Sequence, residues 1–237
     1  MTEALQATPD NRRAAHTQKP SAQRHPAQQQ PRKANPVLER LFELYPVLFG
    51  AQFLPLKLGV YKDLLARHPD AFKPEDLKVA MGLHARSMRY LEAVAAGHPR
   101  HDLDGHAVEP VAPEHLHHAM LEVFRRHQSR TRDDLRPRLR LRLMDAIEAS
   151  GLSIEDYASL VRVQDESTNA LLDDAIAELG REAAKREALM RAFTASGRTE
   201  AEFADMYGMD PDEVASVLAR VRQDQTKAVV PATEVAG

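Results

Sequence analysis

PLKLGVYKDLLARHPDAFKPEDLKVAMGLHARSMRYLEAVAAGHPRHDLDGHAVEP, residues Pro55–Pro110, is the stretch whose reading decides the fold. Its apolar residues recur at helical rather than alternating spacing, and the breaks between runs have explicit chemistry. A helix is expected from about Pro55 to Arg67. A second starts after Lys73-Pro74, with proline in the first turn, where its missing N–H has no helical partner to lose. Glu75 and Asp76 sit at the positive end of that helix dipole, and Leu77, Ala80 and Met81 form its apolar face. A third carries Met88, Leu91 and Val94 until Gly97 and Pro99 interrupt it. Asp104-Gly105, between short extended pieces at residues 100–103 and 106–108, is a β-hairpin signal, because a tight turn needs residues that tolerate positive φ.

Working outward, Asn35-Pro36 reads as an N-cap followed by a first-turn proline, with Val37, Leu38, Leu41, Phe42 and Tyr45 on one face and Pro46 limiting the helix. On the other side, Leu116, Ala119, Met120, Val123 and Phe124 return to helical spacing after Pro113. Residues 36–128 are thus a mostly helical domain with one small hairpin. Residues 1–35 hold six basic side chains (Arg12, Arg13, Lys19, Arg24, Arg32, Lys33) against Glu3 and Asp10, and almost no large apolar one. Such a segment cannot bury enough surface to offset its ordering entropy, so a disordered basic arm is expected, either touching phosphates loosely or simply solvated.

Residues 129–142 are an Arg-rich connector, with Arg130, Arg132, Arg136, Arg138, Arg140 and Arg142 against Asp133 and Asp134. Its alternating Arg and Leu from Arg138 suits a strand or the beginning of the next helix. Residues 143–225 repeat at an offset of 46: Leu143-Met144, Ala146, Ala149-Ser150-Gly151, Tyr157-Ala158 and Leu172 match Leu189-Met190, Ala192, Ala195-Ser196-Gly197, Phe203-Ala204 and Leu218. Each unit reads as helix, Ser-Gly break, helix, turn, helix, giving an acidic all-α module of two helix-turn-helix-like repeats and a disordered tail over 226–237. The fold class is mainly α.

Composition limits the chemistry. With 43% apolar and 28% charged residues the chain is globular, and no apolar run reaches the ~18 residues of a membrane span. The N-terminus lacks the apolar core of a signal peptide, so a cytoplasmic location is expected. Zero cysteines exclude disulfides, thiol nucleophiles and thiolate metal sites. The net charge of −3 conceals a division: residues 1–142 hold 23 Lys+Arg against 16 Asp+Glu, and residues 143–237 hold 9 against 19. The first part attracts polyanions and the second repels them.

The stretch from Tyr45 to Phe124 resembles the ProQ/FinO domain. The carriers are Tyr45-Pro46 with Phe49, the Pro55–Val60 block with Asp63-Leu64, Ser87-Met88-Arg89-Tyr90-Leu91, and Arg100 with Asp102-Leu103-Asp104-Gly105, followed by the helix with His115. Individually weak, they are specific in order and spacing. The resemblance implies an RNA chaperone and post-transcriptional regulator, not an enzyme. It would bind small regulatory RNAs and messenger 3′ ends, especially a stem followed by a uridine-rich tail, protecting them or promoting RNA–RNA pairing without a cofactor.

An A-form stem offers phosphates and 2′-hydroxyls rather than readable major-groove edges, and a free 3′ end suits a polar pocket with an aromatic side chain. By position the resemblance assigns RNA contacts to Lys78, Tyr90 and Arg100 first. Lys57, Lys73, Arg89 and Ser87, the last as a lining of the 3′-end pocket, come next. Tyr90 also reads as a core aromatic, Lys57 as a cap or ion pair, and Lys78 and Arg100 as solvated charges. A bacterial member of the family has lysine where this chain has Pro74, and a basic pair where it has Met120 and Leu121; Arg125 and Arg126, one turn later, are the candidate substitutes.

Competing chemistries fare poorly. His115 and His118 share a helical face, but no thiolate or close carboxylates complete a metal site. Asp102-Leu103-Asp104-Gly105 opens like a calcium loop and lacks the remaining ligands. The alternative function is a helix-turn-helix DNA regulator or protein-interaction adaptor in the second repeat, where Ala204, Gly208 and Val214 have the required spacing. Asp210, Asp212 and Glu213 open the following helix with the wrong charge for DNA. Self-association or a protein partner through this module is the expectation that remains.

Overall fold

A computed structural model describes residues 35–51 and 53–229. The expected arm lies outside the described residues apart from Asn35, as does the expected tail beyond Val229. The elements run α1 (Pro36–Leu44), a π-helical turn (Pro46–Ala51), α2 (Val60–Arg67), α3 (Pro74–Ala85), α4 (Met88–Ala95), β1 (Arg100–His101) and β2 (Ala107–Glu109). They continue as α5 (Pro113–Gln128), α6 (Arg136–Ser150), α7 (Ile154–Val161), α8 (Glu166–Ser196), α9 (Glu200–Tyr207) and α10 (Pro211–Val229). The protein is mostly helical with one small antiparallel sheet, the fold class read from sequence. Among the described residues no helix is long and apolar enough to cross a membrane.

Caps explain the boundaries that sequence predicts well. The Asn35 side chain accepts from the N–H groups of Val37 and Leu38, and Ser87 Oγ accepts from Tyr90 N. Each satisfies donors that the first helical turn leaves without a partner. The helix expected from Pro55 begins only at Val60. The preceding residues are claimed by the hairpin: His101 N donates to Pro55 O, Lys57 N donates to His101 O, and Leu56 bridges His101 in parallel. Helical periodicity through Leu56 and Val60 therefore comes from two different structures.

Three apolar clusters organise the described residues. The first joins α1, the π-helical turn, α2, α3 and the hairpin through Leu41, Phe49, Leu64, Leu77 and Leu103. The second joins α4 through α8 and includes Leu91, Val94, Met120, Leu121, Leu143, Ile147, Tyr157 and Leu172. Tyr90 packs against both. The third is smaller, built on Phe203, Ala204, Val214 and Leu218.

The Arg-rich segment is helical from Arg136, where Pro137 supplies a first-turn proline. Its alternating Leu residues have different fates: Leu139 and Leu143 are buried, whereas Leu141 is exposed. Gly151 and Gly197, the glycines of the two Ser-Gly breaks, both end helices at positive φ, 68° and 60°. That conformation is strained for a residue with a Cβ. The corresponding Tyr157 and Phe203 are both fully buried, as is the Leu218 counterpart of Leu172. Helix α8 is continuous across the two units, and α10 extends to Val229, past the expected start of the tail.

Candidate nucleic-acid interface

Two of the expected binding residues, Tyr90 and Arg100, converge on the backbone of Leu56. Tyr90 sits one turn into α4 and accepts the Leu56 N–H on its hydroxyl at 3.1 Å. Arg100, on β1, donates from Nη1 to the Leu56 carbonyl at 2.9 Å. The same peptide strand is thus held on both sides by two of the three side chains the resemblance ranks highest. Lys57 follows directly, half-exposed, with its ammonium 3.0 Å from Asp63.

Arg100 is 7% exposed, and its second guanidinium nitrogen meets His115 Nδ1 at 3.0 Å. Arginine has no acceptor, so His115 accepts through Nδ1 and, in its neutral form, carries its proton on Nε2. Glu109 lies 4.0 Å from Arg100 Nε and accepts the Leu58 N–H through the same carboxylate oxygen, completing the compensation of a nearly buried cation. Sequence reading ranks Arg100 as a contact and leaves its bonds to these two partners out; they lie 15 and 9 residues away with no periodic signal to connect them.

The other expected residues occupy three different places. Lys73 and Lys78 are exposed on α3, and no described residue pairs with either. Ser87 is spent on its cap. Arg89 is exposed and its guanidinium lies 5.6 Å from the Phe53 ring centroid, within cation–π range. Arg125 and Arg126 are drawn into packing. Arg125 pairs with Glu122 at 3.0 Å and with Asp165 at 3.4 Å and bonds Thr168, which fastens α5 to the start of α8. Arg126 donates to the Arg86 carbonyl at 2.8 Å and pairs with Glu122. Met120 and Leu121 are buried in the second core, so α6, α7 and α8 cover the face of α5 that the resemblance treats as a contact surface.

Behind Tyr90 stands an aromatic box that sequence reading does not anticipate. His84 is buried with ring centroids 4.6 Å from Phe49, 5.0 Å from Phe53 and 4.9 Å from Tyr90, and neither ring nitrogen has a hydrogen-bond partner among the described residues. Burial pushes its pKa down to about 4, so it is a neutral ring at ordinary pH. Phe53 reaches this stack from a positive φ of 52°, an uncommon conformation for a non-glycine residue.

The hairpin tip is tied separately. Arg67 forms a two-pronged pair with Asp104 at 2.7 and 2.9 Å. The guanidinium holds the Asp104 carboxyl below its usual range, while the His106 and Asp104 amides do the same for Asp102. Asp102 thus closes a turn through N–H donors. No group of three or more His, Cys, Asp or Glu among the described residues could hold a metal ion.

A sequence model of the ProQ/FINO family matches residues 31–136. Residues 31–136 are a ProQ/FinO-family domain. Similar proteins include the RNA chaperone ProQ of Shewanella frigidimarina, 40% identical over 93 residues, which are 38% of this chain and 46% of the relative. RNA chaperone ProQ of Idiomarina loihiensis is 37% identical over 91 residues, covering 37% and 44% of the two chains. The crystal structure of a FinO-like RNA chaperone from Neisseria meningitidis is 31% identical and is matched over 35% of this chain and 86% of its own, with a TM-score of 0.33. The chain spans under half the length of the curated relatives it matches. Helices α7 to α10 lie beyond the matched family segment.

Proposed function

We propose that the protein is a cytoplasmic RNA chaperone and post-transcriptional regulator that binds structured RNA without catalysing bond formation or cleavage. The observation that carries this is the ProQ/FinO domain at residues 31–136, in the positively charged part of the chain, with its tyrosine and arginine gripping one strand beside exposed lysines. The preferred ligand is a duplex stem ending in a single-stranded, uridine-rich 3′ tail, as in small regulatory RNAs and messenger 3′ ends. Lys73, Lys78 and Arg89 supply phosphate contacts, and the strand between Tyr90 and Arg100 supplies the wall of the 3′-end pocket. Lys57 joins them by exchanging Asp63 for a phosphate. Arg100 acts chiefly by fixing that strand.

DNA binding through α9 and α10 is disfavoured by charge. Asp210 accepts from the N–H groups of Asp212 and Glu213, so three carboxylates gather at the first turn of the helix that would face phosphates.

The test is fluorescence anisotropy of the full chain with one stem carrying a 3′ uridine tail and the same stem blunt-ended. Tighter binding to the tailed RNA is expected. Equal affinity for the two overturns the 3′-end assignment, and no binding to either overturns the function.

A further inference from the structure

Helix α6 adds a second basic surface along its groove with α5, made of residues outside the RNA contacts assigned to Lys73, Lys78, Arg89 and Tyr90. Arg138 and Arg142 are one helical turn apart and exposed, and with His127 of α5 they line the groove between α5 and α6. Arg142 donates from Nη2 to the carbonyl of Ala95 at 2.6 Å, at the negative end of α4, which anchors this part of α6 against the domain. His127 pairs with Glu92 on α4 at 3.5 Å. Glu92 in turn lines a second, open groove of about 780 Å³ together with Arg89 and His98. One carboxylate therefore joins two grooves that otherwise carry arginines and histidines.

The surface is built, not incidental. Gln128 at the end of α5 donates to the Asp133 carbonyl at 2.8 Å and accepts from Leu135 N at 2.9 Å, which fixes the α5–α6 loop and the angle at which α6 leaves. The nearby carboxylate of Asp134 is occupied by Arg136. Arg138 has no ion pair or hydrogen bond to another described side chain, so its exposed guanidinium can meet a phosphate without giving up a protein partner. Apart from His127, the groove walls are aliphatic or, at Phe124, half-buried, and the exposed groups are mainly guanidinium cations. Such a face suits phosphates better than bases.

We propose that Arg138 and Arg142, with His127, form a phosphate-binding extension for the duplex stem, lengthening the RNA footprint from α4 onto α6. This rests on the RNA-binding reading above. The extension makes affinity depend on stem length, because a short stem ends before it reaches α6.

The experiment uses the full chain and RNAs with one constant uridine tail and stems of increasing length. The parent is expected to bind more tightly as the stem lengthens. Arg138→Ala, whose side chain has no partner to lose, should weaken long-stem binding about three- to tenfold, lower the salt slope by about one contact and leave the shortest stem unchanged. Arg191→Ala, an exposed arginine on α8, serves as the charge control and should match the parent. Circular dichroism and a melting curve establish that both variants are folded. Unchanged long-stem binding by Arg138→Ala, or the same loss at every stem length, overturns the extension while leaving the RNA-binding reading intact. Failure of the parent to bind any of the RNAs removes that reading itself.

Discussion

Arg100 shows how one side chain serves structure and binding at once. It is nearly buried, and removing it strands the Leu56 carbonyl and His115 Nδ1 without their donor. Arg100→Ala should therefore lower stability by about 2–4 kcal/mol in urea unfolding, besides weakening RNA binding. Lys78→Ala should weaken RNA binding by about 1–2 kcal/mol and leave the unfolding midpoint unchanged, because Lys78 is exposed and unpaired. Equal stability of the two variants would show that the Arg100 contacts contribute nothing to the fold. His84 and His117 add a pH dependence: burial depresses both to about 4 from the ordinary 6.5. A depressed histidine pKa means that the unfolded chain binds protons first, so stability is fully present above about pH 6.5 and is lost as pH falls toward 4. Each histidine is expected to withdraw about 2–3 kcal/mol across that window. His84→Phe should remove its share, visible as a smaller drop in Tm between pH 7.5 and pH 5; a parental drop would place the acid sensitivity elsewhere.

At the scale of elements, local signals were legible and competition for backbone was not. Asn35, Ser87, Pro74 and Pro113 announce helix starts because capping and proline geometry act within four residues. Asp104-Gly105 announces the hairpin for the same reason. The segment from Pro55 to Leu58 was misread because its partner, His101, lies more than 40 residues away and periodicity carries no record of it. The site was legible to the same degree. Resemblance names Tyr90, Arg100 and His115, whereas the bonds that tie Arg100 to His115 and Glu109, and the His84 box, emerge only from packing. Helix α5 gives the clearest case: Met120 and Leu121, standing where a bacterial member of the family has a basic pair, lie on a covered face. Restoring charge there with Leu121→Lys should bury an unpaired ammonium and cost more than about 3 kcal/mol. A folded Leu121→Lys chain with the parental midpoint in denaturant would mean that α6 to α8 do not hold that face closed.

For the whole molecule, the acidic half is not a single appendage, and its charge is unevenly placed. Residues 143–180 hold 9 Asp+Glu against 1 Lys+Arg, whereas residues 181–237 hold 10 against 8. The strongly acidic part is also the part whose Leu143, Met144, Ile147, Tyr157, Leu172 and Leu179 share a core with α4 and α5. Competition between carboxylates and RNA for the same cations would therefore come from the second half of α6, α7 and the first half of α8. A chain ending at residue 142 cannot test it, because the cut exposes Leu91, Met120, Leu121 and Val123 and should aggregate or melt at low temperature. A chain ending at Gly180 removes the third cluster with its own apolar residues and spares the second core, whose last member is Leu179. It should fold with a Tm near the parent's. Because it sheds little net charge, its affinity for nonspecific RNA at low salt should equal the parent's. If α9 and α10 instead mediate self-association, the same truncation will lower the mass measured by light scattering below that expected from the deleted residues alone. A large gain in nonspecific RNA affinity from this truncation would place the competing charge in α9 and α10 and refute its assignment to residues 143–180.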